Sequence, residues 1–292
     1  MQYRFLDDFD LLDLHPTFLR AFSDYFVPMN LTREQFSEML TRRGAKKELS
    51  VAAFEEDQPV GFTINAFERY QGIPTLYDVA TGIVPEARRK GIAQGMFEFS
   101  MSKMKDTGAA RYMLEVIAKN SAAFALYKRI GFSVERHLAF FSATKVLLPY
   151  QSSFTIKTIE PMWDLFEGFW DWYPSWQNSI ASMQRSEMQK IVLGVYRDTQ
   201  LIGYGIVFPD TGDIPQFAIR HDQRRQGAGA RLLALLQSYV QPGRSARIVN
   251  VDGSASGTIA FLQRIGFEWI SEQYEMEMPL STPPNKIKEQ SG

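Results

Sequence analysis

The sequence predicts an α/β protein made of two tandem domains that share one fold. The first observation is an internal repeat, in which IVPEARRKGIAQGMFEF at 83–99 aligns with IRHDQRRQGAGARLLAL at 219–235. The second is that YKRIGF at 127–132 aligns with LQRIGF at 262–267, again at an offset of about 135 residues. Two matches in the same order at a constant offset indicate duplication of one ancestral domain. The third is that strand-like and helical segments alternate within each copy.

The length of the chain supports this division. At 292 residues, with 45% hydrophobic content, it is nearly twice a common domain length and can bury a substantial core. The boundary falls near Pro149 to Ser153, which gives a first domain at 1–149 and a second at 150–281. Residues 282–292 form a polar tail with a Pro-Pro pair, and this composition predicts disorder.

The first copy opens with two helical stretches, near 15–27 and 32–43. Thr32, followed three residues later by Gln35, is a capping box that marks the start of the second helix. The strand-like runs LSVAAFEE and VGFTINAF follow, joined by an acidic turn. The first half of this copy therefore has the order ααββ.

The remaining elements complete each α/β unit. A third strand, TLYDVATGIV, precedes a turn containing glycine and an amphipathic helix that ends near Lys105. The strand YMLEVIA, a helix from about Ser121 to Ile130 and strands to Val146 give the order ααβββαβαβ. The second copy repeats the later part from KIVLGVY and LIGYGIVF onward, after an unusually aromatic helical region, LFEGFWDWYPSW.

Charge and composition exclude several classes of function. With 32 basic and 33 acidic residues the formal net charge is -1, so the broad basic surface of a nucleic-acid-binding protein is absent. No apolar stretch approaches the roughly 18 residues that span a bilayer, and the acidic N-terminus differs from a signal peptide. The chain has no Cys, and its three histidines lack metal-ligand spacing. We expect a cytoplasmic protein with no metal that binds neither nucleic acid nor membrane.

The turn after the third strand has the features of a phosphate site. Arg88, Arg89, Lys90, Gly91, Ile92 and Ala93 lead directly into a helix. Free backbone N–H groups and the positive end of the helix dipole meet there, and Gly91 allows positive φ and close approach of a ligand. The alternative is a helix start with solvated arginines. A P-loop fails because no Gly-Lys-Ser/Thr follows, and a dinucleotide fingerprint fails because the GxGxxG spacing is missing.

This turn resembles the acyl-CoA-binding motif of the GNAT acetyltransferases. Ile83, Pro85, Arg88, Gly91 and Ala93 fit the pattern V-x-P-x-x-R-x-x-G-x-G/A. The family's later features also match, and they are Asn120, Tyr127, Gly131 and Phe132. The resemblance covers residues 1–147 well and 151–280 more weakly. It implies two tandem GNAT-like domains, each a mixed, mostly antiparallel sheet flanked by helices.

The resemblance also implies a reaction, in which a primary amine directly attacks the thioester of acetyl-CoA without a covalent enzyme intermediate. Two adjacent strands, TLYDVATGIV and YMLEVIA, would splay apart to admit the pantetheine arm. The implied cofactor-binding residues are Thr81, Gly82, Ile83 and Val84 for the arm, Arg88 and the amides of Arg89, Lys90, Gly91, Ile92, Ala93, Gln94 and Gly95 for the pyrophosphate, and Asn120 and Tyr127 near the pantetheine and thioester.

The expected catalytic residues are a phenol and a carboxylate. Tyr127 would donate a proton to the departing thiolate, since a phenol of pKa near 10 can protonate a thiolate of pKa about 8.5, and the alternative is a helix-packing aromatic. A backbone N–H freed by a β-bulge would polarise the thioester carbonyl. Asp78, or its neighbour Tyr77, is the first choice of general base, Glu115 the second and Glu68 the third. Each carboxylate has the alternative of a solvated or hydrogen-bonded strand residue, and a water chain could replace them all.

The second copy departs from the pattern at three chemically important positions. It keeps Arg224, Gly227 and Gly229 in the turn. In place of Tyr127, Asn120 and Asp78, however, it carries Leu262, Ala255 and Ile214. We expect a degenerate domain with a structural, interface or residual CoA-binding role. Its aromatic residues form a core or interdomain face, or alternatively line an acceptor pocket, and they are Phe166, Phe169, Trp170, Trp172, Tyr173 and Trp176.

Two functions from different classes stay open. One is an N-acetyltransferase acting on a small-molecule or peptide amine, and the other is a non-catalytic acyl-CoA-binding or regulatory module. Tyr127 and Asn120 favour the first. A tandem domain for protein association is a third option, disfavoured by the complete turn in both copies. Aromatic residues between Phe22 and Phe26 fall where the family's acceptor site is usually walled, while the acceptor and the oligomeric state stay open.

Overall fold

A computed structural model describes residues 1–143, 145 and 153–280 of the chain. Helices cover both faces of a single twelve-stranded sheet in this part of the protein. The expected domain boundary near 149 and the expected disordered tail at 282–292 lie outside the described residues.

The first copy contributes six strands and four α-helices to the described chain, in the order β1 Gln2–Phe5, α1 His15–Ala21, α2 Arg33–Arg43, β2 Ala45–Glu55, β3 Gln58–Tyr70, β4 Ile73–Ile83, α3 Ile92–Asp106, β5 Arg111–Ile117, α4 Ser121–Ile130 and β6 Ser133–Ala143. The second copy contributes, in the same part of the chain, β7 Thr155–Thr158, α5 Trp163–Phe166, α6 Ile180–Arg185, β8 Ile191–Arg197, β9 Gln200–Phe208, β10 Asp213–Ile219, α7 Ala228–Ser238, β11 Arg247–Asp252, α8 Ser256–Ile265 and β12 Phe267–Pro279.

The predicted element order of the first copy is confirmed, with two differences at its start. β1, a four-residue strand that pairs antiparallel with β2, was not predicted. α1 ends at Ala21, earlier than the predicted helix near 15–27. Pro28 disfavours helical geometry at Val27, and Ser23 binds the Arg20 carbonyl with its hydroxyl. The Thr32 capping box is present.

The two copies are interleaved through their last strands. The strand order is β1-β2-β3-β4-β5-β12-β6-β11-β10-β9-β8-β7. Thus β12 lies between β5 and β6 of the first copy, and β6 lies between β11 and β12 of the second. Each strand of the first copy has a counterpart in the second, from β1 and β7 to β6 and β12. If every strand is replaced by its counterpart and the order is read backwards, the same strand order results. The sheet therefore has an internal two-fold pattern, in which each copy completes the other.

A divergence between β4 and β5 creates the opening that the sequence analysis expected. The two strands pair in parallel only from Thr75 to Tyr77 on β4. Just beyond this point β4 carries a bulge, because Asn65 of β3 pairs with Asp78 while the preceding Ile64 pairs with Ala80. Val79 is the extra residue. The bulge therefore lies where the strands separate.

Different helices pack on the two faces of the sheet beside this opening. Residues Tyr112 and Leu114 of β5 face a core cluster that includes parts of α3 and α4. The alternate residue Met113 faces a second cluster containing Phe18 of α1 and Phe36 of α2. Within the described chain no helix has the length and apolarity needed to cross a membrane.

Candidate active site

The turn between β4 and α3 presents unpaired backbone amides to solvent. Arg89 and Gly91 both have left-handed backbone geometry, with φ of 61° and 75°, and Gly91 is the N-cap of α3. The amides of Ile92, Ala93 and Gln94 occupy the first helical turn, where no preceding carbonyl can accept their hydrogens. A Cβ placed on Gly91 would meet no atom within 4 Å, so the space above the turn is open. The arrangement suits an anion such as a phosphate.

Two residues of the expected pyrophosphate site have other partners. The Gly95 amide donates to the Gly91 carbonyl at 2.9 Å, because Gly95 is far enough into the helix to make the first regular bond. Its missing side chain makes room for the Tyr3 hydroxyl, which would lie 2.1 Å from an added Cβ. The Arg88 guanidinium binds both carboxylate oxygens of Asp24 at 2.7 Å, and also donates to the Ala21 and Ile83 carbonyls. Gly95 and Arg88 therefore shape the turn, contrary to the expectation of direct phosphate contact.

Among the described residues, the edge of β4 that faces the opening has no strand partner after Tyr77. Residues Thr81, Gly82 and Ile83 lie along this stretch and pair with β3 on the other side. Val84 continues that pairing by donating its amide to the Val60 carbonyl. The free edge can accept the amides and carbonyls of an extended ligand in the manner of a further strand.

Asp78, Tyr127 and Thr81 meet at the bulge. The Tyr127 hydroxyl donates to Asp78 Oδ2 at 3.3 Å, and the Thr81 hydroxyl donates to the same oxygen at 2.7 Å. Asp78 is only 8% exposed, and its other oxygen, Oδ1, has no hydrogen-bond partner among the described residues. A small cavity adjoins all three residues and is lined by Phe132 and by side chains of α3 and α4. The structure thus brings together the first choices of base and acid.

Burial sets the ionisation of this pair. It raises the pKa of Asp78 to about 6, although the hydrogen bonds from Thr81 and Tyr127 oppose the increase. Burial, together with the charge of Asp78, holds the pKa of Tyr127 well above its usual value. At neutral pH Asp78 can therefore accept a proton while Tyr127 keeps one to donate.

Asn120 links the start of α4 to the loop after α1. Its Oδ1 accepts from the Ala123 amide at 3.2 Å, which caps α4. Asn120 also lies near Tyr25, whose pKa burial raises. Tyr25 packs edge-on against Phe26, and Phe26 is 56% exposed. Aromatic residues were expected here from the sequence, but the proximity of Tyr25 to Asn120 depends on tertiary folding.

Glu115, the second choice of base, lies on the other face of the sheet. Successive side chains of β5 point to opposite faces of the sheet. Since Leu114 packs beneath α3 and α4, Glu115 points to the other face, away from Tyr127. Its Oε2 accepts hydrogen bonds from the amides of Gln177, Asn250 and Gln273, all from the second copy. Burial and the nearby Glu275 raise its pKa. Glu115 and Asp78 therefore lie on opposite faces of the sheet, because side chains alternate along a strand.

The other two alternatives are also placed away from the cavity. Glu68 forms an ion pair with Arg185 of α6. Tyr77 is buried and stacks on Trp176 at 4.7 Å between ring centres. Among the described residues no group of three or more His, Asp or Glu side chains could hold a metal ion.

Two family models match this chain, one for each copy. The model described as the acetyltransferase (GNAT) family matches residues 13–132, and that of the acetyltransferase (GNAT) domain matches residues 167–283. The chain belongs to the GNAT acetyltransferases. The matches include both glycine turns and the strands that diverge beside them. The resemblance found in the sequence is therefore confirmed.

Curated GNAT relatives resemble only a part of the chain. N-alpha-acetyltransferase 30 of Schizosaccharomyces pombe is 34% identical over 29% of this chain and 57% of its own length. The ribosomal protein bS18-alanine N-acetyltransferase of Escherichia coli is 36% identical over 20% of this chain and 38% of its own. An N-alpha-acetyltransferase of Saccharolobus solfataricus is 38% identical over 23% and 42%. The similarity thus spans about half of each relative's length or less.

Solved GNAT structures match nearly the whole chain. A tandem GNAT protein from the clavulanic acid biosynthesis pathway superimposes with a TM-score of 0.72 at 14% identity, covering 97% of this chain and 99% of that one. A GCN5-related N-acetyltransferase from Sphaerobacter thermophilus gives 0.71 at 15% identity and 91% of both chains. The predicted fold class of two tandem GNAT domains is confirmed.

The second GNAT copy repeats the turn of the first in detail. Arg225 and Gly227 have φ of 60° and 86°, which matches Arg89 and Gly91. Arg224 binds the Asp171 carboxylate and the Ile219 carbonyl, as Arg88 binds Asp24 and Ile83. The backbone of the turn therefore survived the duplication.

The strand opening of the second copy is bridged by its own side chains. The Asn178 side-chain amide donates to the Val249 carbonyl of β11 at 2.9 Å, and the backbone carbonyl of Asn178 accepts from the side-chain amide of Gln216 on β10. Leu262, in the place of Tyr127, is fully buried in the core. Ala255 makes no side-chain cap at α8.

The aromatic residues of the second copy divide between two surfaces. Phe166 stacks on Tyr204, and the Trp170 indole donates to the Tyr204 hydroxyl at 2.5 Å. Tyr173 and Trp176 instead pack against residues of the first copy. The interpretation as a core and interdomain face agrees with these contacts.

Proposed function

We propose that the first copy transfers an acetyl group from acetyl-CoA to a primary amine by direct attack. The observation that carries this proposal is the contact between Tyr127 and Asp78 beside the diverging strands. Membership of the GNAT family supports it. The second copy would serve as a structural partner, because Leu262 replaces the phenol and Ala255 replaces the capping asparagine.

The residues of the first copy fit acetyl-CoA as a co-substrate. The amides from Arg89 to Gln94 would bind the pyrophosphate, and the free edge at Thr81 to Ile83 would pair with the pantetheine arm. Asn120 and Tyr127 lie at the far end of this path, next to the bulge. The N–H of Val79, the residue without a β3 partner, would polarise the thioester carbonyl.

Protons would move through the pair at the bulge. The neutral amine attacks the acetyl carbon, so that a C–N bond forms and the C–S bond breaks. Asp78 accepts the proton that the amine loses, and Tyr127 donates its own to the departing sulfur. The contact between them lets Asp78 return a proton to Tyr127, so the net transfer runs from amine to thiol.

We propose the α-amine of a peptide as the acceptor class. The curated relatives carry names of N-alpha-acetyltransferases and of an alanine N-acetyltransferase. An α-amine has a pKa near 8, so a larger fraction is neutral at pH 7 than for a lysine side chain. A small-molecule amine is the alternative. A non-catalytic acyl-CoA-binding module is the second function, and the open turns of both copies are compatible with it.

The first test is calorimetric titration of acetyl-CoA into the intact protein and two matched variants. We expect one site per chain. Gly91→Glu should abolish binding because it places a carboxylate against the pyrophosphate. Gly227→Glu introduces the same side chain at the same backbone geometry in the second copy and should leave binding intact.

Each result has a definite meaning. Loss of binding only in Gly91→Glu supports the proposal and justifies a screen of peptide amines, with Tyr127→Phe as the catalytic control. Absence of acetyl-CoA binding to the intact protein would contradict it. Binding lost only in Gly227→Glu would assign the cofactor to the second copy.

A further inference from the structure

A polar bridge spans the opening between β4 and β5 on the face opposite Tyr127. Arg43, the last residue of α2, donates from Nη1 to the Val79 carbonyl at 2.9 Å and from Nη2 to Gln177 Oε1 at 2.6 Å. Gln177 in turn donates from Nε2 to Glu115 Oε2 on β5. One guanidinium and one amide therefore connect the two diverging strands.

The β4 end of this bridge is the bulge itself. The Val79 carbonyl and the Ala80 N–H belong to one planar peptide group and point in opposite directions. Arg43 binds the carbonyl end, which belongs to the bulged residue itself. Because the N–H and the carbonyl of Val79 belong to the same residue, holding the carbonyl restricts the direction of the N–H.

The β5 end is held by the second copy. Gln177 lies in a short 3-10 turn whose first residue, Trp176, is fully buried against Tyr77 with ring planes 3° apart. The Trp176 indole donates to the Arg43 carbonyl at 2.9 Å. The Tyr70 hydroxyl donates to the Pro174 carbonyl, which anchors the segment before the turn. Gln177 is consequently presented from a rigid support.

We propose that Arg43 and Gln177 are positioning residues for acetyl transfer, and that the second copy acts on the catalytic bulge of the first by supplying Gln177. The inference rests on the proposed function and assigns the second copy a part in it. The bridge fixes the width of the opening and the direction of the bulge amide. A carboxylate in the place of Gln177 would oppose Glu115, whereas an amide offers an acceptor to Arg43 and a donor to Glu115.

The test compares full-length variants by kcat, by KM for the amine and by acetyl-CoA affinity. Gln177→Met keeps the length of the side chain and removes both hydrogen bonds. We expect kcat to fall roughly 10- to 100-fold, with acetyl-CoA affinity within about 3-fold of wild type, because a small misplacement of reacting groups is costly. Arg43→Lys keeps the charge and loses the two-pronged geometry, and we expect a comparable loss. Gln263→Met, on the exposed surface of α8, is the matched control and should behave as wild type.

A kcat of Gln177→Met within about 2-fold of Gln263→Met would overturn the inference. A parallel loss of acetyl-CoA affinity and folded protein would also overturn it, since that pattern belongs to a purely structural contact. If wild type acetylates no amine, the proposed function fails separately. Amide hydrogen exchange of the unliganded protein then tests whether the bridge orders the bulge. Faster exchange at residues 78–81 in Gln177→Met than in the control supports it, and equal exchange rejects it.

Discussion

At the scale of single residues, the site depends on one carboxylate that has lost most of its water. Asp78 retains two hydroxyl donors on one oxygen and none on the other. Its pKa near 6 follows from this imbalance, since burial disfavours the charge more than the two donors restore it. A strand carboxylate at the surface would titrate below pH 5 and be a weaker base.

The pH dependence of acetyl transfer follows from that value. We expect kcat/KM, expressed for the neutral form of the amine, to increase about tenfold per pH unit below pH 6 and to level off above it, as Asp78 loses its proton. Tyr127→Phe removes a hydrogen bond that favours the ionised form of Asp78 and therefore raises the pKa of Asp78. The rising part of the pH profile of its residual activity should move to higher pH. Asp78→Asn should lose the limb together with roughly 100-fold or more of the activity. A profile for Asp78→Asn parallel to wild type would assign the base elsewhere.

Several of these residues could be assigned from the sequence because local motifs define them. The turn at Gly91, the capping residue Asn120 and the phenol of Tyr127 are fixed by spacing within one strand, turn and helix. The face of the sheet that Glu115 occupies could not be predicted, because an isolated acid in an apolar strand gives the same sequence pattern on either face. The partners of Arg88 and Arg43 could not be found, since Asp24 and Gln177 are distant in sequence and make no pattern with them.

At the scale of elements, α3 is positioned by a contact that has no counterpart in the motif. Gly95 lies against Tyr3 of β1, the strand that the sequence analysis missed. A four-residue strand is too short to give a periodic pattern, and only its pairing with β2 defines it. Gly95 therefore allows α3 to pack closely against the edge strand β1 of the sheet.

Because of this contact, we expect the effect of Gly95→Ala on the free energy of unfolding to have opposite signs in the wild-type and Tyr3→Ala backgrounds. Gly95→Ala should destabilise the protein by about 1–3 kcal/mol, because the new Cβ displaces the Tyr3 ring. In a Tyr3→Ala background the same substitution should instead stabilise by about 0.5–1 kcal/mol, since alanine is the better helix former. Urea unfolding measures both values. Equal effects in the two backgrounds would show that Tyr3 is not the obstacle.

At the scale of the whole molecule, the repeat predicted from the sequence is real, but its arrangement was not predictable. Residue patterns give the order of strands along the chain, whereas the exchange of β6 and β12 depends on which edges meet in space. The β12 pairings with β5 and β6 join the copies along ten or more residues. The two copies therefore arose by duplication of one domain, but they pack as a single structural unit.

We expect the two copies to unfold in a single cooperative transition. All five tryptophans lie in the second copy, at Trp163, Trp170, Trp172, Trp176 and Trp269. Fluorescence therefore reports the second copy and, through Trp176 and Trp269, its contacts with the first, while far-UV circular dichroism reports the helices and strands of both. Coincident denaturation curves would agree with one unit, and an earlier or later fluorescence transition would separate the copies.

The exchange of strands also has a consequence for biosynthesis. The ribosome releases the residues of the first copy first, yet β5 and β6 have no strand between them until β12 has left the exit tunnel. For that period the nascent chain exposes two unpaired edges that favour association with other chains. Closing the sheet then requires contact between residues more than 130 positions apart, such as Arg136 and Glu275, which slows folding. The half of the protein that is made first is thus among the last parts to be completed.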